Sequence, residues 1–313
     1  MTTGPEDKIP ARTRLGDRVF STSTIVAGSI ILAVLAAVAI FLVIQAIPAI
    51  VAKPGTLPNG AANFWDYVGP LVFGTIWAAA LAMIMAVPIS IGVALFISHY
   101  APRRIAQVLG YIVDLLAAVP SVVFGLWGVQ VLAPAIQPFY VWLNTNLGWI
   151  PLFGGETSGT GRTILTVAIV LAVMVLPIMT AVCREIFLQT PRLHEEAALA
   201  LGATRWEMIK TAVLPFARPG IVSAAMLGLG RALGETMAVA IVLSPALVVS
   251  FFLLTSQNPE TIAGNIALQF SEASGIGLNA LVASGLVLFV ITFIVNAVAR
   301  FVVSRRRAFS GAN

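Results

Sequence analysis

The sequence predicts an all-α, polytopic membrane helix bundle with about six transmembrane helices, and three observations predict it. Hydrophobic residues make up 59% of the 313 residues and charged residues only 10%, where a soluble domain carries roughly 25% charged residues. The apolar residues fall in blocks long enough to cross a bilayer, which takes about 20 residues at helical rise. Lys and Arg gather in alternate connections, as a chain that threads a membrane repeatedly requires. Mean hydropathy is correspondingly high, at +0.97.

The apolar blocks place spans at about Ser23–Ile47, Leu71–Ser98, Val108–Ala133, Ile164–Phe187, Ile221–Leu243 and Leu278–Val303. Residues 1–22 read as an amino tail, 23–303 as the transmembrane domain with a long charged loop at 184–218, and 304–313 as a carboxyl tail. Met1–Thr22 is polar and the apolar stretch after it is too long for a signal-peptide core, so the first helix is expected to be retained. Pro88, Pro120 and Pro177 fall inside spans. Broken helices are tolerated where neighbours or a cavity satisfy the backbone, so these prolines mark either simple kinks or a bundle that lines a path.

The basic residues then orient the chain. Most of the 18 Lys and Arg lie in the amino tail (Lys8, Arg12, Arg14, Arg18), beside span two (Arg103, Arg104), in the 184–218 loop and at the carboxyl end (Arg300, Arg305, Arg306, Arg307). Lys53 and Arg162 remain on the opposite side. Both termini are therefore expected in the cytoplasm of a bacterial cell, with the chain a multi-pass protein of the inner membrane. The net charge of +5 reflects topology and not a nucleic-acid footprint. Opposite the basic loops, Pro134–Gly161 carries Phe139, Tyr140, Trp142, Trp149 and Phe153, an expected headgroup-level aromatic belt. Ala246–Thr255 is apolar but too short to span, so it lies at the interface or re-enters.

The 184–218 loop reads as two helices about a turn. Thr190-Pro191 supplies a cap and a first-turn proline, and Glu195 and Glu196 sit where the helix dipole favours acid. Gly202 ends that helix, Thr204-Arg205-Trp206-Glu207 forms a capping box for the next, and Pro215 is expected to stop it.

Span five carries Arg231 and Glu235, and an intramembrane charge costs roughly 2.5–3.5 kcal/mol on insertion scales. At i, i+4 the two share a helical face and can pair, while Gly230 and Gly234 allow a neighbouring helix to approach. Two readings stand. Either Arg231 faces a translocation path and meets an anion, with Glu235 steadying or releasing it, or the pair is a buried clamp. Asp114, read as a third charge within a span, either partners Arg231 or bonds locally near the membrane surface. Cys183 is the single cysteine, which excludes an internal disulfide. No catalytic constellation, metal site or cofactor motif is found; Gly155–Thr163 lacks the spacing and the lysine of a phosphate-binding loop.

Glu196-Ala197-Ala198, Gly202 and Leu214-Pro215 resemble the EAA loop of permease subunits in ABC importers, with Ala212 standing where an isoleucine is usual. The resemblance implies a type I ABC importer permease fold. It also implies that Glu196, Ala197, Ala198, Gly202, Leu214 and Pro215 couple the chain to an ATPase. Gly230–Val239, Leu116–Gly128, Gly16-Asp17-Arg18 and Ala101-Pro102 extend the likeness to the phosphate-specific (Pst) branch, PstC more than PstA, over about Gly16–Arg307. It implies a homologous second permease subunit, two ATP-binding subunits, an extracytoplasmic phosphate-binding protein and phosphate passage past Arg231 and Glu235. From charge alone, sulfate or molybdate serves as well as phosphate. An ion-coupled secondary carrier using Asp114, Arg231 and Glu235 as a relay is the reading from another class, although no inverted repeat supports it.

Overall fold

A computed structural model describes residues 15–307, with side chains over 16–301. The basic tail residues Lys8, Arg12 and Arg14, and the side chains of Arg305–Arg307, lie outside the described residues.

Among the described residues, six helical stretches are long and apolar enough to cross a membrane, so the chain is a multi-pass membrane protein. α1 runs Leu15–Ile50 and α2 Phe64–Leu95, continuing through a π turn at Phe96–Tyr100. α3 is Arg103–Ala117; α4 (Ser121–Trp127), a π turn and α5 (Ala133–Leu147) form one further span. α6 is Ile164–Leu188. The charged loop holds α7 (Arg192–Ala200) and α8 (Arg205–Met208), which passes through a π turn at Ile209–Val213 into α9 (Leu214–Leu233). α10 (Met237–Val242), a two-residue parallel pairing of β1 (Pro245–Ala246) with β2 (Asn258–Pro259), α11 (Ile262–Gln269) and α12 (Ile276–Arg307) complete it.

α6 is the axis. It packs on α2, α9 and α3, while α1 and α12 pair at the periphery. Thr163 caps its start, accepting from Thr166 N at 3.2 Å. Pro88 and Pro177 lie inside continuous helices, and beside Pro177 the Ser90 hydroxyl donates across the α2–α6 seam to Leu176 O at 3.4 Å. The closest approach between helices falls where small residues line one stripe of α9. A Cβ on Gly220 would meet Ile186 at 2.5 Å and one on Gly228 would meet Val175 at 2.6 Å, with buried Ala224 between them. Among the described residues of this chain no helix packs on the Gly230–Gly234 pair: a Cβ on Gly230 would meet nothing within 4 Å, and one on Gly234 only Gly230 O.

Two sequence expectations are corrected. The third span is not Val108–Ala133 but Ser121–Leu147. The chain turns at Ala118–Pro120 because Pro120 and the residue before it resist helix. α3 thereby separates as an amphipathic helix with Arg103 and Arg104 at its start, and the aromatic residues Phe139, Tyr140 and Trp142 lie on α5 and not in a loop. Tyr140 is fully buried, its hydroxyl 2.9 Å from Thr166 Oγ1. Second, Pro215 does not stop a helix. It sits in the first turn of α9, where no N–H is needed, because the wide π turn before it has already interrupted the regular ladder.

At the end of the bundle away from the charged loop, a buried polar chain ties α2 to α11. Tyr67 Oη donates to Asn265 Oδ1 at 2.7 Å, and Asn265 Nδ2 donates to Glu260 Oε2 at 3.0 Å. Gly74 is obligatory beside it, since a Cβ there would strike the Glu260 carbonyl. Burial pushes the Glu260 carboxyl above the usual carboxylate range, only partly offset by the Asn265 bond.

Candidate functional site: a docking loop and a broken fifth span

The charged loop folds largely as its caps direct. Gly202 adopts φ +86°, a left-handed conformation that glycine enters without Cβ strain. Ala203 N donates to Ala198 O at 3.2 Å and Gly202 N to Leu199 O at 3.0 Å, the paired bonds of a Schellman ending. The capping box forms in both directions: Thr204 N donates to Glu207 Oε2 at 2.8 Å and Glu207 N to Thr204 Oγ1 at 3.3 Å. Thr190 is not a cap. Pro191 occupies that position, and the Thr190 hydroxyl is buried without a partner.

Of the six EAA-type residues, Glu196, Ala197 and Gly202 are exposed, and Ala198 packs with Leu214 onto the buried cluster around Phe187 and Ile209. Pro215 is exposed. Around Glu196 and Ala197 the loop presents Leu193 at 77%, Leu201 at 89% and Trp206 at 57% exposure. Leu193 and Leu201 fall with Ala197 at i, i+4, i+8 of α7, a face that the sequence reading did not single out. Glu195 takes a different course: its Oε1 lies 3.6 Å from His99 Nε2, and His99 Nδ1 lies 2.7 Å from Ser98 Oγ. The loop is thereby tied to the π turn that ends the second span.

Span five is broken at the charged pair. α9 ends at Leu233 and α10 begins at Met237, so Arg231 and Glu235 do not share a helical face and form no ion pair with each other. Each charge instead sits at the helix end that suits its sign. Arg231 lies in the last turn of α9. Glu235, 8% exposed, accepts from Ala238 N at 3.1 Å and so caps α10. The Arg231 Nε is buried and has no hydrogen-bond partner. Arg231 borders a cavity of about 510 Å³ between α6, α9 and α12, together with Ile178, Ser223, Met226, Leu227 and Asn296.

Arg162 holds α10, the second part of the broken span. Its Nε donates to Val242 O at 3.1 Å, and its Nη2 to Ile241 O and Leu243 O at 3.0 Å each. One guanidinium thus satisfies the last carbonyls of α10. Asn258, fully buried, donates to Arg162 O at 3.0 Å and Ser244 O at 3.2 Å and accepts from Ile164 N at 2.8 Å. Neither residue had a sequence signal, since their partners lie about 80 to 95 positions away. Asp114 meets Arg184, at 3.6 Å, and not Arg231. The Arg184 guanidinium lies against Gly110, where a Cβ would collide with it, so α3 docks on the loop end of α6, and it is not among the six membrane-length helices.

Six membrane-length helices, with a charged loop that runs by one helix into a broken, charge-bearing span, suit a transport permease. The profile described as "Binding-protein-dependent transport system inner membrane component" matches residues 86–308, and the chain belongs to that family. Within it the chain belongs with the PstC permeases. It is 45% identical to the "Phosphate transport system permease protein PstC 2" of Mycobacterium tuberculosis, covering 94% of this chain and 93% of that one. It is also 47% identical to the PstC of Mycobacterium leprae, over 84% and 85%, and 36% identical to that of Haemophilus influenzae, over 94% and 95%. Among solved structures, the fold matches a bacterial ABC transporter that imports alginate, with TM-score 0.61 and 16% identity over 92% of this chain and 96% of that one. It also matches the MetNI methionine ABC transporter, with TM-score 0.51 and 17% identity over 76% and 93%. These structures support the type I ABC importer permease fold.

Proposed function

We propose that this chain is the permease subunit of an ATP-driven importer for inorganic phosphate, forming half of the path and passing the anion by Arg231. The observation that carries this reading is one helix. From Arg205 to Leu233 the backbone stays helical, carried through the π turn at Ile209–Val213. It begins in the charged loop and ends two residues past Arg231, whose Nε has no hydrogen-bond partner among the described residues. A displacement of the loop is thus delivered to the cationic group on the cavity wall. The exposed Leu193, Leu201 and Trp206 around Glu196 and Ala197 support docking of an ATP-binding subunit on the loop. Glu235, a buried carboxylate one turn from Arg231, serves to restrain or release the cation.

The basic loops support a cytoplasmic position for the termini and the charged loop, with Arg162 and α11 toward the outside. The reading takes a second homologous permease, two ATP-binding subunits and an external phosphate-binding protein as partners. Phosphate as substrate follows from the phosphate transport names of the relatives. Asp114, seated on Arg184, has no role in the path.

The test is the ATPase rate of the reconstituted importer with its binding protein loaded with phosphate or with sulfate. Stimulation by the phosphate-loaded form alone is the expected result. Equal stimulation by both would remove phosphate as the specific substrate.

A further inference from the structure

The cavity beside Arg231 holds more than a positive charge, and its other polar groups differ from what a simple anion trap needs. A guanidinium attracts any oxyanion, so Arg231 by itself distinguishes poorly between phosphate and sulfate. Ser223 and Asn296 are the two other polar residues on the cavity wall, one from α9 and one from α12. The Ser223 hydroxyl donates its single proton to Pro219 O at 3.1 Å. What it offers the cavity is therefore lone pairs. Asn296 makes no hydrogen bond among the described residues, and its amide carries both an acceptor and donors. Space exists for a ligand between them: a Cβ added to Gly230, also on the wall, would meet nothing within 4 Å.

We propose that Ser223 reads the protonation of the anion held by Arg231, so that the site selects an oxyanion carrying a proton over one carrying none. This rests on the reading of Arg231 as part of the path and deepens it. At neutral pH inorganic phosphate keeps at least one proton, and arsenate behaves alike, while sulfate keeps none. A P–O–H group donates to Ser223 Oγ while the guanidinium takes the charged oxygens, and Asn296, with its acceptor and donors both free, serves either anion. Sulfate presents only acceptors to the Ser223 lone pairs, and an acceptor left facing an acceptor forfeits a bond and adds repulsion. The selection is steric in no part, since the two anions are nearly the same size; it is a matter of donor against acceptor.

The experiment uses the assembled importer in lipid nanodiscs, without binding protein, and measures retention of radiolabelled phosphate with sulfate or arsenate competing. Wild-type complex should release phosphate to arsenate at about tenfold lower concentration than to sulfate, the cost of one unmade hydrogen bond. Ser223→Ala should narrow that gap while phosphate is still retained, Asn296→Leu should leave the gap in place, and Ser223→Thr, which keeps the hydroxyl, should preserve it. Co-purification with the ATP-binding subunit checks that each variant is assembled. An unchanged gap in Ser223→Ala, or no gap in the wild type, overturns the selection by protonation. Phosphate retention that survives Arg231→Ala, or a wild type that retains none, overturns the path reading beneath it.

Discussion

Arg162 and Val242 are joined across 80 positions of sequence: the arginine Nε donates to the valine carbonyl at 3.1 Å, and the same guanidinium caps Ile241 and Leu243. This contact fixes α10 to the start of α6, at the end of the bundle away from the charged loop. α9, on the other side of the break, runs on from the charged loop.

Arg162→Ala should therefore leave three carbonyls of α10 without their donors. The expected loss is about 2 kcal/mol of stability, the scale of bonds to a charged donor. Thermal unfolding of the purified importer in detergent reads this directly. Arg162→Lys should recover only part of it, because an ammonium cannot reproduce the fork.

At the break, cap and charge can be separated. Glu235→Gln keeps an oxygen that can accept from Ala238 N, so the fold should persist, whereas Glu235→Ala should cost about 1 kcal/mol through the lost cap. If the carboxylate charge works on Arg231, phosphate uptake by Glu235→Gln should fall while its melting temperature stays near wild type. Normal uptake by that variant would leave Glu235 as a cap alone. Arg231→Ala should abolish uptake in a complex that still assembles.

In the loop, Gly202→Ala forces a side chain into φ +86° and should weaken the ending of α7 by about 1 kcal/mol. Leu201→Glu and Trp206→Glu leave the fold untouched, since both side chains point away from it. They should reduce capture of the ATP-binding subunit in pull-down, as should Glu196→Lys. Full capture by all three would place docking elsewhere.

The Glu260 carboxyl sets a pH dependence with a definite sign. Its folded-state affinity for a proton is raised, so the protonated form is the one that suits the native structure. The stability it contributes is complete below the ordinary carboxylate range, about 4 to 5, and is lost as pH rises through the raised value. Glu260→Gln, neutral throughout, should flatten the fall in melting temperature over that window. An unchanged slope would show that another group sets it.

What the sequence could disclose follows from the range of each signal. The Thr204–Glu207 capping box and the Gly202 ending act within a few residues, and both were legible. The six spans were legible by hydropathy, but the third was displaced because Val108–Ala133 is as apolar as a true span. Only the packing of Gly110 under Arg184 reveals that α3 docks separately. Arg231 and Glu235 announced themselves as charges in an apolar block, yet their i, i+4 spacing implied a shared face that the break at Gly234 removes. Arg162 and Asn258 carried no signal, since their partners are remote in sequence. The Gly220–Ala224–Gly228 stripe was not singled out, because which small residues meet a neighbouring helix depends on packing remote in sequence.

Leu201 and Trp206 stand exposed on the charged loop. If that loop seats an ATP-binding subunit in the cytoplasm, as proposed, a copy of this chain synthesised without the partner would present a greasy crown to the cytosol, where chaperones and proteases sort proteins by such surfaces. On that reading the residues that seat the partner would also make an orphaned subunit recognisable, and the joint between them would police the ratio of permease to ATPase in the cell.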